Sequence, residues 1–436
     1  MKRAIALSGG GTKGSYELGV WRALNELGIE YQIVTGTSIG AINGALMVTR
    51  DYERAYELWS TITMEDMLED GINLTATIEG LIDQRDAIRP FLKKYIKNKG
   101  ADISPYAKFI ERMIDEEAVR DSDIDYGLVT VQFPSLKPCE LTKKDIPRGK
   151  LKDYILASSA IFPFFPMHKI DDMMYLDGYY YDNLPIALAL KMGAEEVIAI
   201  DLQTTPKHRV YAKRPYVTYI KPCRKLGTMM NFDHMLIMEN IGMGYRDAMK
   251  ALGACYGYRY TFRAQELWKC QSAGKHFRHC MALLDLCLTE ELPMKMFGTK
   301  GDFNRIHSLL AARTGKQEMD DLEYFTAAGE LCAEIFKLDY RQIYRMEDFA
   351  KELTEKVTDI HLTSFADKVI GNDMALLVKN LSEMKRKKKT QGITAAIYYA
   401  SLTGKLTEKP GMALLNFFPK EMAAAFFLLS VRSGML

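Results

Sequence analysis

The sequence predicts an α/β domain with a mainly parallel sheet flanked by helices, followed by a mostly helical C-terminal region. Short apolar runs alternate with helical patterns through the first half of the chain, as strands joined by crossover helices do. The run Glu196 to Leu202 (EVIAIDL) is rich in β-branched residues, as a central parallel strand buried on both faces requires. Beyond about Leu252 the pattern turns to helical stretches rich in Met, Leu, Lys and Glu, with no comparable strand run. The expected division is therefore 1–252 and 253–436.

In chain order, Ala4 to Ser8 reads as the first strand. After a glycine turn, Tyr16, Val20, Ala23, Leu24 and Leu27 recur at helical spacing, and Gly28 supplies the stop. Tyr31 to Thr35 is the second strand, and Ser38 to Val48, rich in small residues that allow close approach to a sheet, is the second helix. Gly127 to Phe133 reads as a strand and Leu184 to Met192 as a helix leading into Glu196 to Leu202. From Gln203 to Gly227, Pro206, Pro215 and Pro222 interrupt the pattern, and no regular element is expected.

Bulk properties narrow the partners. The chain has 436 residues, 48% of them apolar and 26% charged, and its net charge is only +2, which provides no global field toward nucleic acid. The apolar run near the N-terminus stops at Gly9 without a cleavage-site pattern, so a secretory signal is not expected. Seven cysteines with no CxxC pair fit reduced thiols in the cytoplasm. Cys270, His276, His279 and Cys280 match no common structural zinc spacing, and no metal is expected. The longest apolar candidate, Met422 to Val431, is bounded by Glu421 and Arg432 and is too short to span a bilayer. Membrane contact is expected to be peripheral at most.

Three motifs carry chemistry. Gly36-Thr37-Ser38-Ile39-Gly40 is a G-x-S-x-G between a strand and a small-residue helix. A serine on such a sharp turn projects its hydroxyl from the backbone, and the helix N-terminus behind it favours developing negative charge. The competing reading is an ordinary serine N-cap. Gly9-Gly10-Gly11-Thr12-Lys13-Gly14 follows the first strand, and its backbone N–H groups can converge on an anion, with Lys13 adding positive charge beside them. A dinucleotide fingerprint at Gly9, Gly11 and Gly14 would need an acidic residue at the end of the second strand. That strand ends in Val34 and Thr35, and Glu30 comes too early. The third motif is Asp177-Gly178, an aspartate closing a short apolar segment. No histidine sits in an obvious triad motif, so aspartate acting directly as base is the simpler account.

In this order, GGGTKG, GTSIG and Asp177-Gly178 resemble the patatin-like phospholipases. Ala157-Ser158-Ser159-Ala160 before Phe162-Pro163, and Asp182-Asn183-Leu184-Pro185, look like the family too, and coverage runs from residue 1 to about 250. The resemblance implies a patatin-like fold, a Ser38–Asp177 dyad, an oxyanion hole from the amides of Gly9, Gly10 and Gly11, and hydrolysis of phospholipid or other acyl-lipid esters without a cofactor. Gly36, Gly40, Lys13, Gly14 and Gly178 support these motifs. Tyr179 departs from the Gly or Ala that commonly follows the family's DG. Transfer of the acyl group to an alcohol uses the same dyad, and a non-catalytic lipid- or nucleotide-binding module is the alternative from another class. Residues 253–436 match nothing in the family. Their basic run Lys385 to Lys389 reads as a solvated face and their closing apolar segment as a packed helix.

Overall fold

A computed structural model describes residues 2–67, 104–162, 164–203, 209–265, 270–291, 305–360, 386–404, 406, 414–415 and 417–432. The chain divides into two compact units, Met1–Leu252 and Gly253–Leu436.

The first unit is built on an eight-stranded sheet: β1 (Arg3–Leu7), β2 (Ile33–Thr37), β3 (Asp125–Phe133), β4 (Lys137–Thr142), β5 (His168–Ile170), β6 (Met173–Asp177), β7 (Glu196–Ile200) and β8 (Val217–Ile220). The strands β8, β7, β1, β2 and β3 lie side by side and parallel, and the apolar runs of β1 and β7 are buried as that arrangement demands. At β3 the sheet turns antiparallel: β4 pairs along its far edge, while β6, followed by β5, continues along the edge that β2 occupies.

Two expectations need correction. Residues 203–227 are not wholly irregular, because Val217–Ile220 pairs in parallel with Val197–Ile200. Its four residues lie between Pro215 and Pro222, too short a run to declare itself by pattern. The second strand also runs on through Gly36 to Thr37, directly into Ser38. It can do so because Gly36 has no side chain: a Cβ there would lie 2.1 Å from the carbonyl oxygen of Gly40.

Helices α1 (Ser15–Glu26), α2 (Ile39–Val48), α3 (Tyr52–Thr61), α4 (Ser104–Met113), α5 (Glu116–Asp121), α6 (Leu151–Ser158), α7 (Ile186–Lys191) and α8 (His234–Ala251) accompany the sheet. The second of them, with nine of its ten residues buried, packs against β2 and β3. The first and last touch along their backbones, where Cβ atoms on Gly19 and Gly244 would fall within 2.0 Å of carbonyl oxygens of Ile241 and Tyr16.

The second unit is mostly helical, but three short strands, Cys255–Tyr256, Thr261–Arg263 and Ile343–Tyr344, form a small sheet that the sequence pattern does not show. Its central helix, Asp321–Phe336, opens with a capping box between Asp320 and Glu323 and packs against Pro419–Ser430. Met422, Phe427 and Leu428 are buried there, so the closing apolar segment is core. Within the basic run, Lys385 lies outside the described residues and Arg386 opens the helix Arg386–Leu402. Among the described residues, no helix is long and apolar enough to cross a membrane.

Candidate active site

The register of three strands brings Ser38 and Asp177 together. Strand β2 runs up one edge of β3 and ends with Thr37 opposite Val129. Strand β6 runs down the same edge, since β4 occupies the other, and ends with Asp177 opposite Thr130. The two strands therefore meet head to head at adjacent positions of β3. The residue that leaves the sheet at the end of β2 is Ser38, and its hydroxyl lies near enough to the Asp177 carboxyl to lower that group's pKa.

Ser38 is not an ordinary N-cap. It stands at the N-cap position of α2, but its side chain makes no capping hydrogen bond, and its backbone is held at φ 57° and ψ −124°. That left-handed conformation is costly for a residue with a Cβ and persists only where surrounding contacts fix it. One such contact is plain: the Ser38 amide donates to Ser158 Oγ at 3.0 Å, and that hydroxyl donates to the carbonyl of Val129 at 2.7 Å. Ser158 is fully buried at the end of α6 and ties the turn to the strand it stands on. We predict that Ser158→Ala, which leaves two buried polar groups without their partner, lowers the stability of the chain by about 1–3 kcal/mol. Ester hydrolysis should also slow, because the turn loses its fixed geometry. Thermal melting and initial rates check both effects, and a variant unchanged in both would mean that Ser158 does not hold the turn.

Asp177 is 1% exposed. Its Oδ1 accepts the Tyr179 amide at 2.8 Å, and its own amide donates to the Ala160 carbonyl. Burial raises its pKa from the usual carboxylate range to about 7, against the lowering effect of the Tyr179 amide and the Ser38 hydroxyl. Gly178 lets the turn pass close to β3, since a Cβ there would lie 2.3 Å from the Val129 carbonyl oxygen.

The glycine loop lies beside Ser38 but does not present all three amides. The Gly9 amide donates to the Asn183 carbonyl at 3.0 Å, which commits it within the fold and removes it from the expected set of oxyanion donors. A Cβ on Gly9 would lie 3.0 Å from Ser38 Cβ, so glycine is needed there for close approach. The amides of Gly10 and Gly11 donate to no described residue. Thr12 fastens the loop to the segment ahead of α8, its amide donating to the Met229 carbonyl at 2.8 Å and its hydroxyl reaching the carbonyls of Thr228 and Met229. Lys13 is buried in the turn Gly11–Gly14, and Gly14 leaves room for Ile39 at the start of α2. Gly40 presses against the Leu7 carbonyl at the end of β1.

Ser38 and Gly11 open into a cavity walled mainly by apolar side chains such as Trp59, Phe109, Phe165 and Phe232. Tyr106 and Ser159 line the same cavity. Pattern reading gave Trp59 and Tyr106 no role, since nothing in their neighbourhood marks them apart from other helix-buried aromatics. Ser158 and Asn183 lie in stretches that looked like the family, but their partners are 120 and 174 residues away in the chain.

The model of the family described as "Patatin-like phospholipase" matches residues 5–190. Patatin-like phospholipase domain-containing protein 6 of Homo sapiens is 30% identical over 206 residues, covering 46% of this chain and 13% of that protein. Lysophospholipase NTE1 of Mycosarcoma maydis is 28% identical over 202 residues, covering 46% of this chain and 10% of that protein. The chain thus corresponds to only 13% or less of the length of these relatives. Among solved structures, VipD from Legionella pneumophila covers 99% of this chain and 90% of its own at 14% identity and a TM-score of 0.35. The likeness to the patatin-like phospholipases thus lies in residues 5–190 of this chain.

Proposed function

We propose that the chain is a lipid acyl hydrolase that cleaves acyl ester bonds through a Ser38–Asp177 dyad and an acyl-enzyme. The observation that carries this reading is the head-to-head meeting of β2 and β6, which sets a strained serine beside a buried carboxyl at the mouth of an apolar cavity. Ser38 Oγ attacks the ester carbonyl while the Asp177 carboxylate takes its proton. The oxyanion that forms is met by the amides of Gly10 and Gly11 and by the N-terminal end of α2. Collapse breaks the bond to the alcohol, which leaves with the proton from Asp177. Water then gives its proton to Asp177 as it attacks the acyl-enzyme, and the free acid departs as Ser38 recovers its proton. A lysophospholipid or a phospholipid supplies such an ester, and the apolar wall of the cavity suits its acyl chain.

A base with a pKa of about 7 works near neutral pH. Since Asp177 must be ionised to accept the proton, kcat/KM should rise with pH and reach half its plateau near 7. The test is release of fatty acid from a lysophospholipid, followed across pH 5 to 9 (about the range over which such a group titrates). No release at any pH would contradict the hydrolase reading, and release with a midpoint near 4 would contradict the role given to the buried carboxyl.

A further inference from the structure

Gly9 leaves the set of oxyanion donors because Asn183 holds it, and the way Asn183 holds it bears on the next peptide. The Asn183 carbonyl accepts the Gly9 amide at 3.0 Å, while Asn183 Nδ2 donates to the Gly9 carbonyl at 3.1 Å. The Gly9 carbonyl and the Gly10 amide belong to one planar trans peptide, in which C=O and N–H point in opposite directions. Fixing the carbonyl on Asn183 therefore fixes the Gly10 amide facing away from Asn183. A hydrogen bond to the carbonyl also polarises the peptide and strengthens its N–H as a donor. A glycine run is otherwise the segment least able to hold one orientation by itself.

Asn183 is well placed to act as this anchor. It is 2% exposed and sits in a turn fastened at every side. The amide of Asp182 donates to the Gly178 carbonyl beside Asp177, and the carbonyl of Asp182 accepts the Thr37 hydroxyl at 2.8 Å beside Ser38. The same turn thus grips the acid, the nucleophile strand and the glycine loop. Gly9 is enclosed between Asn183 and Ser38, since a Cβ on it would lie 2.5 Å from Asn183 Oδ1 and 3.0 Å from Ser38 Cβ.

We infer that Asn183 is a positioning residue that orients the Gly9–Gly10 peptide so that the Gly10 amide faces the oxyanion formed at Ser38. The inference rests on the dyad reading above. Asn183→Asp keeps the shape and the backbone contacts but turns the Nδ2 donor into an acceptor facing the Gly9 carbonyl. The expected result is a fall in kcat of about 10- to 100-fold with KM little changed, the range seen when an outer support of a site is lost. Affinity for a trifluoromethyl ketone, which adds Ser38 to form a tetrahedral oxyanion, should fall by a similar factor, while binding of a non-reactive fatty alcohol in the cavity should not.

A general loosening of the fold would weaken both ligands together and would overturn the inference, as would a variant that keeps wild-type kcat and ketone affinity. If the wild-type chain itself neither hydrolyses ester nor binds the ketone covalently at Ser38, it is the dyad reading that fails. Should Asn183→Asp not fold, wild-type protein labelled with ¹⁵N-glycine gives the answer. On addition of the ketone the Gly10 amide resonance should shift downfield, as a newly hydrogen-bonded amide does, while Gly9 stays in place; the reverse pattern overturns the assignment.

Discussion

Asp177→Asn should abolish ester hydrolysis, with kcat/KM reduced by about 10⁴-fold or more, and Ser38→Ala should do the same. Asparagine retains the shape of the side chain and can still accept the Tyr179 amide, but it cannot take a proton from Ser38. The two losses should not add, because nucleophile and base act in one step, so the double variant should be no worse than either single one. The same substitution has a second consequence with the opposite sign. Burial raises the pKa of Asp177 in the folded chain to about 7, above its ordinary value of 3.8, so the folded state binds a proton there more tightly than the unfolded state. The stability this contributes is fully present below about pH 4 and is lost as pH rises through 7. Asparagine carries no charge to bury. Asp177→Asn should therefore melt at a higher temperature than wild type at pH 8, and the advantage should shrink toward pH 5. Calorimetry at the two pH values tests this, and a variant less stable than wild type at pH 8 would contradict the burial of an ionised carboxylate in the working enzyme.

Gly36→Ala should be the most damaging single-methyl change in the turn. The added Cβ would lie 2.1 Å from the oxygen and 2.3 Å from the carbon of the Gly40 carbonyl, both backbone atoms that cannot swing aside. Overpacking of this kind costs about 1–3 kcal/mol and sometimes more, and relief here requires pulling α2 away from β2, which moves Ser38 from Asp177. Gly149→Ala is the contrast. Gly149 has φ +80°, yet a Cβ there meets nothing within 4 Å. Only the backbone conformation opposes it, at about 1 kcal/mol, and activity should be kept. Denaturant unfolding and ester hydrolysis of the two variants together separate steric pressure at the site from simple loss of a glycine. Equal effects would mean that the Gly36–Gly40 contact is not what shapes the turn.

Much of the parallel core was legible because β1, β2 and β7 are apolar runs with turn residues on both sides, and a buried parallel strand has no other pattern. The edge strands were harder. Val217–Ile220 is four residues between prolines, and Lys137–Thr142 is partly exposed with no alternation, so their pairing depends on neighbours that local pattern does not reveal. The site divides in the same way. The turn at Ser38 is encoded locally by Gly36 and Gly40, and the motif named it correctly as a sharp strand-to-helix turn. The glycine loop was only half legible: three consecutive glycines look equally able to bind an anion, but the Gly9 amide already has a partner 174 residues along the chain. Which amide stays open is decided by tertiary contacts with Asn183. The same is true of Ser158, whose hydroxyl gains its role only once α6 is laid against β3.

The most direct test of the central claim is reaction of the whole chain with a fluorophosphonate, read by intact mass and by peptide mapping, in wild type and in Ser38→Ala. An activated Ser38 predicts one added phosphonyl group on the peptide that carries it and none in the folded variant. A folded wild type that takes no label, or a Ser38→Ala chain that is labelled as readily at another residue, would contradict the dyad and favour a chain that binds lipid without cleaving it.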